Sequence, residues 1–111
     1  MIMDSLSIVS WNIKSIKRVH ELARDYLVGH DLICLQETWL HEFENDVLQK
    51  KFPEYRVFGK SSMNSDTYCK GRPYGGIAIM WKNSYNDYVE CIETSFHNIQ
   101  IVKIRTLQTV Q

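Results

Sequence analysis

An amide and a carboxylate, far apart in the chain, stand in the same kind of place. Asn12 follows the apolar β-type run "LSIVSW", and Glu37 follows "DLICLQ". A carboxylate at the end of so apolar a run is costly unless something compensates it. The oxygens of an amide and of a carboxylate are both hard donors. Mg²⁺ commonly takes only one or two carboxylates, with water and substrate phosphate filling its other positions. Asn12 and Glu37 are therefore candidate metal ligands and candidate catalytic residues of one divalent-cation centre. The plainer alternative has Glu37 emerging into water at a strand end and Asn12 serving a turn.

The elements around these two residues decide whether they can meet. After the first strand, Ile16, Val19, Leu22, Ala23, Tyr26 and Leu27 recur at three- and four-residue steps, which predicts a helix with Ser15 as N-cap and Gly29 as C-cap. Residues 31–36 form the second strand. Phe43, Val47, Leu48 and Phe52 mark a second helix stopped by Pro53. "YRVFGK" and "GIAIMWK" read as strands on either side of a long polar loop over residues 61–76, with a turn at "NSYND". "YVECIET" and "NIQIVKIRT" pair as a hairpin across "SFH". The order is an α/β fold, β-α-β-α followed by four strands that meander antiparallel. It predicts a mixed β-sheet with helices on one face. The first β-α-β unit is a right-handed parallel crossover, so the carboxyl ends of its strands lie side by side. Ligands of such sheets gather outside those ends, where Asn12 and Glu37 fall. The second and fourth strands are apolar on both alternating faces. With helices on one face only, the other presents an apolar patch of the kind that marks an interface.

Other chemistries find little support. The 111 residues allow one domain at most. No apolar run approaches the roughly 20 residues of a membrane span. Asp4 stands where a signal peptide would be basic, which points to a soluble, intracellular chain that is not secreted. Cys34, Cys69 and Cys91 show no CxxC spacing, and Cys34 reads as a buried small hydrophobe rather than a zinc ligand. His20, His30, His41 and His97 show no HExxH spacing, and no GxSxG occurs. Trp11, Trp39 and Trp81 read as core or interface anchors. Thirteen basic and thirteen acidic side chains cancel, so global charge carries no nucleic-acid signal. Locally, Lys14, Lys17 and Arg18 form one basic group, and Lys60, Lys70, Arg72 and Lys82 against Asp66 form another. Each could meet phosphates or be solvated surface. In the second group, Lys70 and Arg72 could touch a phosphate backbone and Tyr74 a sugar or base. Alternatively Tyr74 packs over a sheet edge and both cations are solvated. Gly75 and Gly76 permit positive φ or a close backbone approach, but no GxxxxGK phosphate loop is present.

Taken together, "SIVSWNIKSI", "DLICLQETWL" and "GRPYGGIAIMWK" resemble, in order and spacing, the N-terminal half of the endonuclease/exonuclease/phosphatase superfamily. The likeness runs from about residue 6 to residue 106 and is nearest to the apurinic-type endonuclease domain of non-LTR retrotransposons. It implies roughly half of a four-layer α/β/β/α sandwich and Mg²⁺-dependent phosphodiester hydrolysis of DNA, with Mn²⁺ as a substitute ion. It also implies Glu37 as metal ligand, Asn12 as an active-site amide near metal and scissile phosphate, and Gln36 and Thr38 in support. A nuclear location is compatible with the resemblance. Full-length members carry a further Tyr, an Asp-x-Asn pair and an Asp-His pair, none of which this sequence matches. Residues 1–111 therefore read as one partial domain, C-terminal half absent, weakly active or inactive alone. Its open sheet face would need that half or another protein. A non-catalytic nucleic-acid- or protein-binding module is the other reading.

Overall fold

A computed structural model describes residues 5–41, 44, 46–61, 75–96 and 98–105. Four strands build the main sheet: β1 (Ile8–Asn12), β2 (Leu32–Gln36), β3 (Tyr55–Lys60) and β4 (Ile77–Lys82), in the order β1-β2-β4-β3. β1 and β2 are parallel, as a helical crossover requires. β4 runs antiparallel to both β2 and β3. The sheet is therefore mixed, as expected, but β4 inserts between β2 and β3 instead of following them as a simple meander. β5 (Val89–Ile92) and β6 (Ile101–Ile104) form a separate antiparallel pair, the expected hairpin.

The helices are α1 (Glu21–Leu27) and α2 (Asp46–Lys51). The long helix expected from Ile16 onward is broken in two. Ser15 caps only a 3₁₀ turn, Ile16–Arg18, by accepting a hydrogen bond from the Lys17 N–H at 3.2 Å. Val19 then leaves the helical region at φ −85° and ψ 77°, and α1 starts afresh with His20 as N-cap, its Nδ1 accepting from the Ala23 N–H. Both pieces still bury residues of the same apolar series, Ile16, Val19 and Leu27. Helical spacing was therefore a guide to only half of the burial: Leu22 and Tyr26 of the same series are exposed, at 64% and 77%, because the break at Val19 turns α1 so that Leu27 alone of its residues enters the core. The C-cap is Val28, and Gly29 follows it at φ +109°, a conformation that favours glycine.

Strand register sorts the sheet's side chains. One face carries the rows Val9–Ile33–Met80–Val57 and Trp11–Leu35–Ala78–Gly59. Ile16, Leu27 and Leu48 from the helical segments, with Ile13 and Phe52 from the turns beside them, join Ile33, Leu35, Ala78 and Met80 in a single core. The opposite face carries Asn12–Gln36–Ile77–Lys60, Ser10–Cys34–Ile79–Phe58 and Ile8–Leu32–Trp81–Arg56. This face is less bare than the strand sequences suggested. Residues 98–100 approach it and, with Cys34, Gln36, Ile77 and Ile79, border an open hollow of about 330 Å³. The Lys60 ammonium donates to Thr94 O and Oγ1 and to Ile99 O, and Gln100 Nε2 donates to Phe58 O, so both fasten the β5–β6 connection to β3. Among the sheet's described residues, Ile8 is the large hydrophobe left exposed.

Two polar anchors brace the amino end of β2. The buried Tyr55 hydroxyl donates to His30 O at 2.7 Å and accepts from the Gly29 N–H at 3.2 Å. Asp31 accepts from the Ser7 N–H and from the Tyr85 hydroxyl, and pairs with Lys82 at 3.5 Å. Among the described residues, no helix is long and apolar enough to cross a membrane.

Candidate active site

The carboxyl ends of β1 and β2 meet as the crossover demands. Asn12 is the register partner of Gln36, the residue before Glu37, on a strand about 4.8 Å away. Beyond the strand ends, the two chains continue side by side. The Ile13 N–H donates to Gln36 O at 3.0 Å, Ser15 N–H to Glu37 O at 2.8 Å, and Ile16 N–H to Thr38 O at 3.0 Å. The start of β4 closes the other side, because it runs antiparallel to β2. Thr38 N–H donates to Gly76 O at 3.2 Å, and Trp39 N–H to Gly75 O at 2.8 Å. The three quoted sequence blocks are thus three adjacent strands, and their site-bearing ends share one edge.

The backbone at this edge is strained. Lys14, Ser15, Glu37 and Trp39 all have positive φ, at 49°, 108°, 53° and 56°. Non-glycine residues held in such conformations cost roughly 1–3 kcal/mol each and persist only where the surroundings over-determine them. Here the hydrogen bonds to residues 13–16 and to the glycine pair supply that determination. At Glu37 the strain has a reason. Strict alternation after Gln36 would carry residue 37 to the helix-covered face with Leu35, and the left-handed turn ends that alternation. Glu37 is half-buried rather than part of the core.

The glycine pair is needed for space as well as conformation. Gly76 has φ +90°, and a Cβ there would lie within 3.0 Å of the Thr38 side-chain oxygen. Thr38 is itself buried, at 2% exposure. Thr38 therefore packs directly under the glycine and keys β4 to the Glu37 turn.

Polar groups at the site are open to a ligand. Among the described residues, the Glu37 carboxylate has neither a hydrogen-bond nor an ion-pair partner, and the Asn12 side chain is exposed. Gln36 Nε2 donates to Ser10 Oγ at 3.0 Å, which ties the amide to β1 and leaves its oxygen as an acceptor. No group of three or more His, Cys, Asp or Glu gathers among the described residues. The donors that do gather are hard oxygens, the set suited to a cation that keeps much of its water. Burial raises the pKa of the Cys34 thiol, two residues before Gln36, which keeps it protonated and unsuited to act as thiolate nucleophile or ligand.

The structure thus brings Asn12 and Glu37 together, with Gln36 and Thr38 beside them. Lys70, Arg72 and Tyr74 lie outside the described residues, as do Phe43 and Cys69. Lys60 and Lys82, from the same basic stretch, are engaged as a strut to the hairpin and as the partner of Asp31. The anchoring role of Ser15 and the cluster around Asp31 were not foreseen. The signal for Asp31 was an acid immediately preceding an apolar strand.

Comparison with curated proteins and with solved structures returned no match. The sequence model of the endonuclease/exonuclease/phosphatase family matches residues 9–107, a span that begins within β1 and contains every later element described above. The chain belongs to the endonuclease/exonuclease/phosphatase family, which makes it a member of a nuclease- and phosphodiesterase-type hydrolase group.

Proposed function

We propose that this chain carries the Asn12–Glu37 part of a Mg²⁺-dependent phosphodiesterase centre of the retrotransposon endonuclease type, acting on DNA. The observation that supports it most is the parallel register of Asn12 with Gln36, beside a Glu37 carboxylate that has no partner among the described residues. Glu37 and Asn12 would hold the ion, with Mn²⁺ able to replace it. Bound there, a divalent ion would supply charge stabilisation to a phosphate oxygen. Glu37 would neutralise part of the ion's charge, from a backbone pinned on both sides. Asn12, on the adjacent strand, contributes an amide oxygen or donates an N–H to a phosphate oxygen. Gln36 orients toward β1 through Ser10.

Mn²⁺ titration followed by NMR tests the metal reading. Paramagnetic broadening is expected at the amides of Asn12, Gln36, Glu37 and Thr38, reversed by EDTA and lost in Glu37→Gln. Absence of broadening at these amides would refute the centre. Supercoiled plasmid with Mg²⁺ then separates two versions of the proposal. Nicking that EDTA and Glu37→Gln abolish would show that these residues suffice for turnover. Metal binding without nicking would fit a centre needing further groups. DNA binding that is indifferent to both EDTA and Glu37→Gln would favour a non-catalytic binding module. That second reading draws on Glu37 being the one carboxylate at the site among the described residues.

A further inference from the structure

We propose that the outer edge of β1, with the α1 face above it, is a surface on which a second copy of this chain docks, the two β1 strands pairing antiparallel across a two-fold axis at Ser10. The inference goes beyond the phosphodiesterase reading and does not rest on the metal centre.

Three observations carry it. The first is the state of the edge. β1 ends the sheet order, and among the described residues nothing pairs with its outer side. Ser7 O accepts from the Leu32 N–H, and the Ile13 N–H donates to Gln36 O. Peptide groups alternate along a strand, so those of Val9 and Trp11 point to β2, and those of Ile8, Ser10 and Asn12 point away from it. Sheets protect such edges with charge, proline or a covering segment. The far edge has that protection. β3 carries Arg56 and Lys60, and Lys60 and Gln100 fasten the β5–β6 connection along it. β1, with the sequence IVSWN, has neither charge nor proline.

The second is the apolar surface beside that edge. Val9, Ser10 and Trp11 line an open groove of about 340 Å³ with Ala23, Tyr26 and Leu27 of α1. Leu27 enters the core, and Arg24 on one side of it reaches Glu54. Leu22 and Tyr26, four residues apart, lie on the other side, toward the β1 edge. They are 64% and 77% exposed, and Ile8 on the edge itself is 57% exposed.

The third is that this surface complements itself. With Ser10 opposite Ser10 on the axis, Ile8 stands opposite Asn12, and every outward N–H and C=O of β1 finds a partner. On the helix side Val9 stands opposite Trp11. α1 lies over β1 and β2, so the axes of the two α1 helices fall about two strand spacings apart, roughly 10 Å, which is a helix-packing distance. The two Leu22–Tyr26 stripes then meet above the paired strands. α1 runs back along β1, so the axis brings the last turn of each α1, with Asp25, to the end where the other copy carries Lys17 and Arg18. These three side chains are exposed and without a partner among the described residues. Opposite charges therefore meet at both ends of the joint. An unrelated strand could use the edge, but only a second copy supplies this match of register, stripe and charge together.

Sedimentation velocity of the full chain tests the proposal, in reducing buffer so that the exposed Cys91 forms no cross-link. One short strand pair and two helix stripes make a small interface, so a dimer with Kd of about 10–100 μM is expected over a range of roughly 1 to 500 μM chain. Leu22→Lys combined with Tyr26→Lys should weaken it at least about 10-fold. Charge exchange identifies the occupant. Asp25→Lys alone, and Lys17→Glu with Arg18→Glu alone, should each dimerise less, and an equimolar mixture of the two proteins should recover the dimer. Amide exchange by NMR reads the register: Ile8, Ser10 and Asn12 should gain protection as concentration rises, while Val9 and Trp11 do not change. Thermal melting confirms that each variant is folded. A chain that stays monomeric at about 500 μM overturns the proposal and leaves the edge to another occupant. So does a dimer that ignores the α1 and charge variants, or protection that does not alternate along β1.

Discussion

Substituting Gly76 by alanine asks how tightly β4 is keyed to the Glu37 turn. Two costs add. The first is conformational, since φ +90° is rarely adopted by L-residues, at about 1–3 kcal/mol. The second is steric. The new Cβ would fall within 3.0 Å of Thr38 Oγ1, on a side chain only 2% exposed and thus without room to swing away. Forcing one more carbon into such a site costs roughly 1–3 kcal/mol. The sum, about 2–6 kcal/mol, is a large share of the 5–15 kcal/mol typical of a domain. Gly29→Ala supplies the reference. Its φ is +109°, but nothing lies within 4 Å of the added carbon, so it bears the conformational cost alone. Urea unfolding of the two variants isolates the steric part. With a slope of about 1–3 kcal/mol per molar urea, Gly76→Ala should have its midpoint lower than Gly29→Ala by on the order of 1 M. Thr38→Ala should then cost less in the Gly76→Ala background than alone, because it removes the atom in the way. Equal midpoints for the two glycine variants, or strictly additive effects with Thr38→Ala, would refute the packing described here.

Other expectations follow from the same contacts. Tyr55→Phe removes the donor to His30 O and the acceptor of the Gly29 N–H, and should cost about 1–3 kcal/mol in urea unfolding. Burial works to raise the Asp31 pKa, but the Ser7 N–H, the Tyr85 hydroxyl and Lys82 outweigh it and bring it below the ordinary aspartate value of 3.8. A depressed folded pKa stabilises the chain above the unfolded value and loses that effect as pH falls through the folded one. Asp31→Asn should therefore lower the melting temperature at pH 7 and weaken its decline below about pH 4. Glu37→Gln should leave the melting temperature unchanged in EDTA, since no contact of the carboxylate with the described residues is lost, while abolishing Mn²⁺ binding.

How far the sequence could be read depended on whether a feature was local. The convergence of Asn12 and Glu37 followed from one helical connection between two strands, because handedness leaves a single arrangement. The hairpin of β5 and β6 was readable for the same reason, from two runs joined by a short turn. The placement of β4 was not. Its apolar alternation identifies a strand but not its neighbours, and pairing β2 with residues more than forty positions later is a choice made by packing of the whole sheet. The same limit applied to charge. Lys60 and Lys82 looked like members of one basic group, yet the fold assigns them to a hairpin and to Asp31. Val19 shows the converse. Its burial was read correctly, but the spacing of apolar residues does not say whether the backbone between them stays helical, so the break went unseen and Leu22 and Tyr26, counted on the same face, lie exposed.

The two ends of β2 divide the demands on the fold. At its start, Asp31 and the neighbouring Tyr55 hydroxyl are each held by partners on other elements, and each contact adds to stability. At its finish, the chain holds a carboxylate without a partner among the described residues, on a turn of unfavourable φ. Such a residue adds strain without a compensating contact. The surrounding peptides are hydrogen-bonded to both neighbouring segments, so the turn is held rigidly although its side chain does nothing for the fold. A residue selected only for stability at position 37 would be a glycine or asparagine, which tolerate positive φ best. That a glutamate stands there, beside Asn12 and with no partner among the described residues, is the physical reason to look for a ligand at this turn.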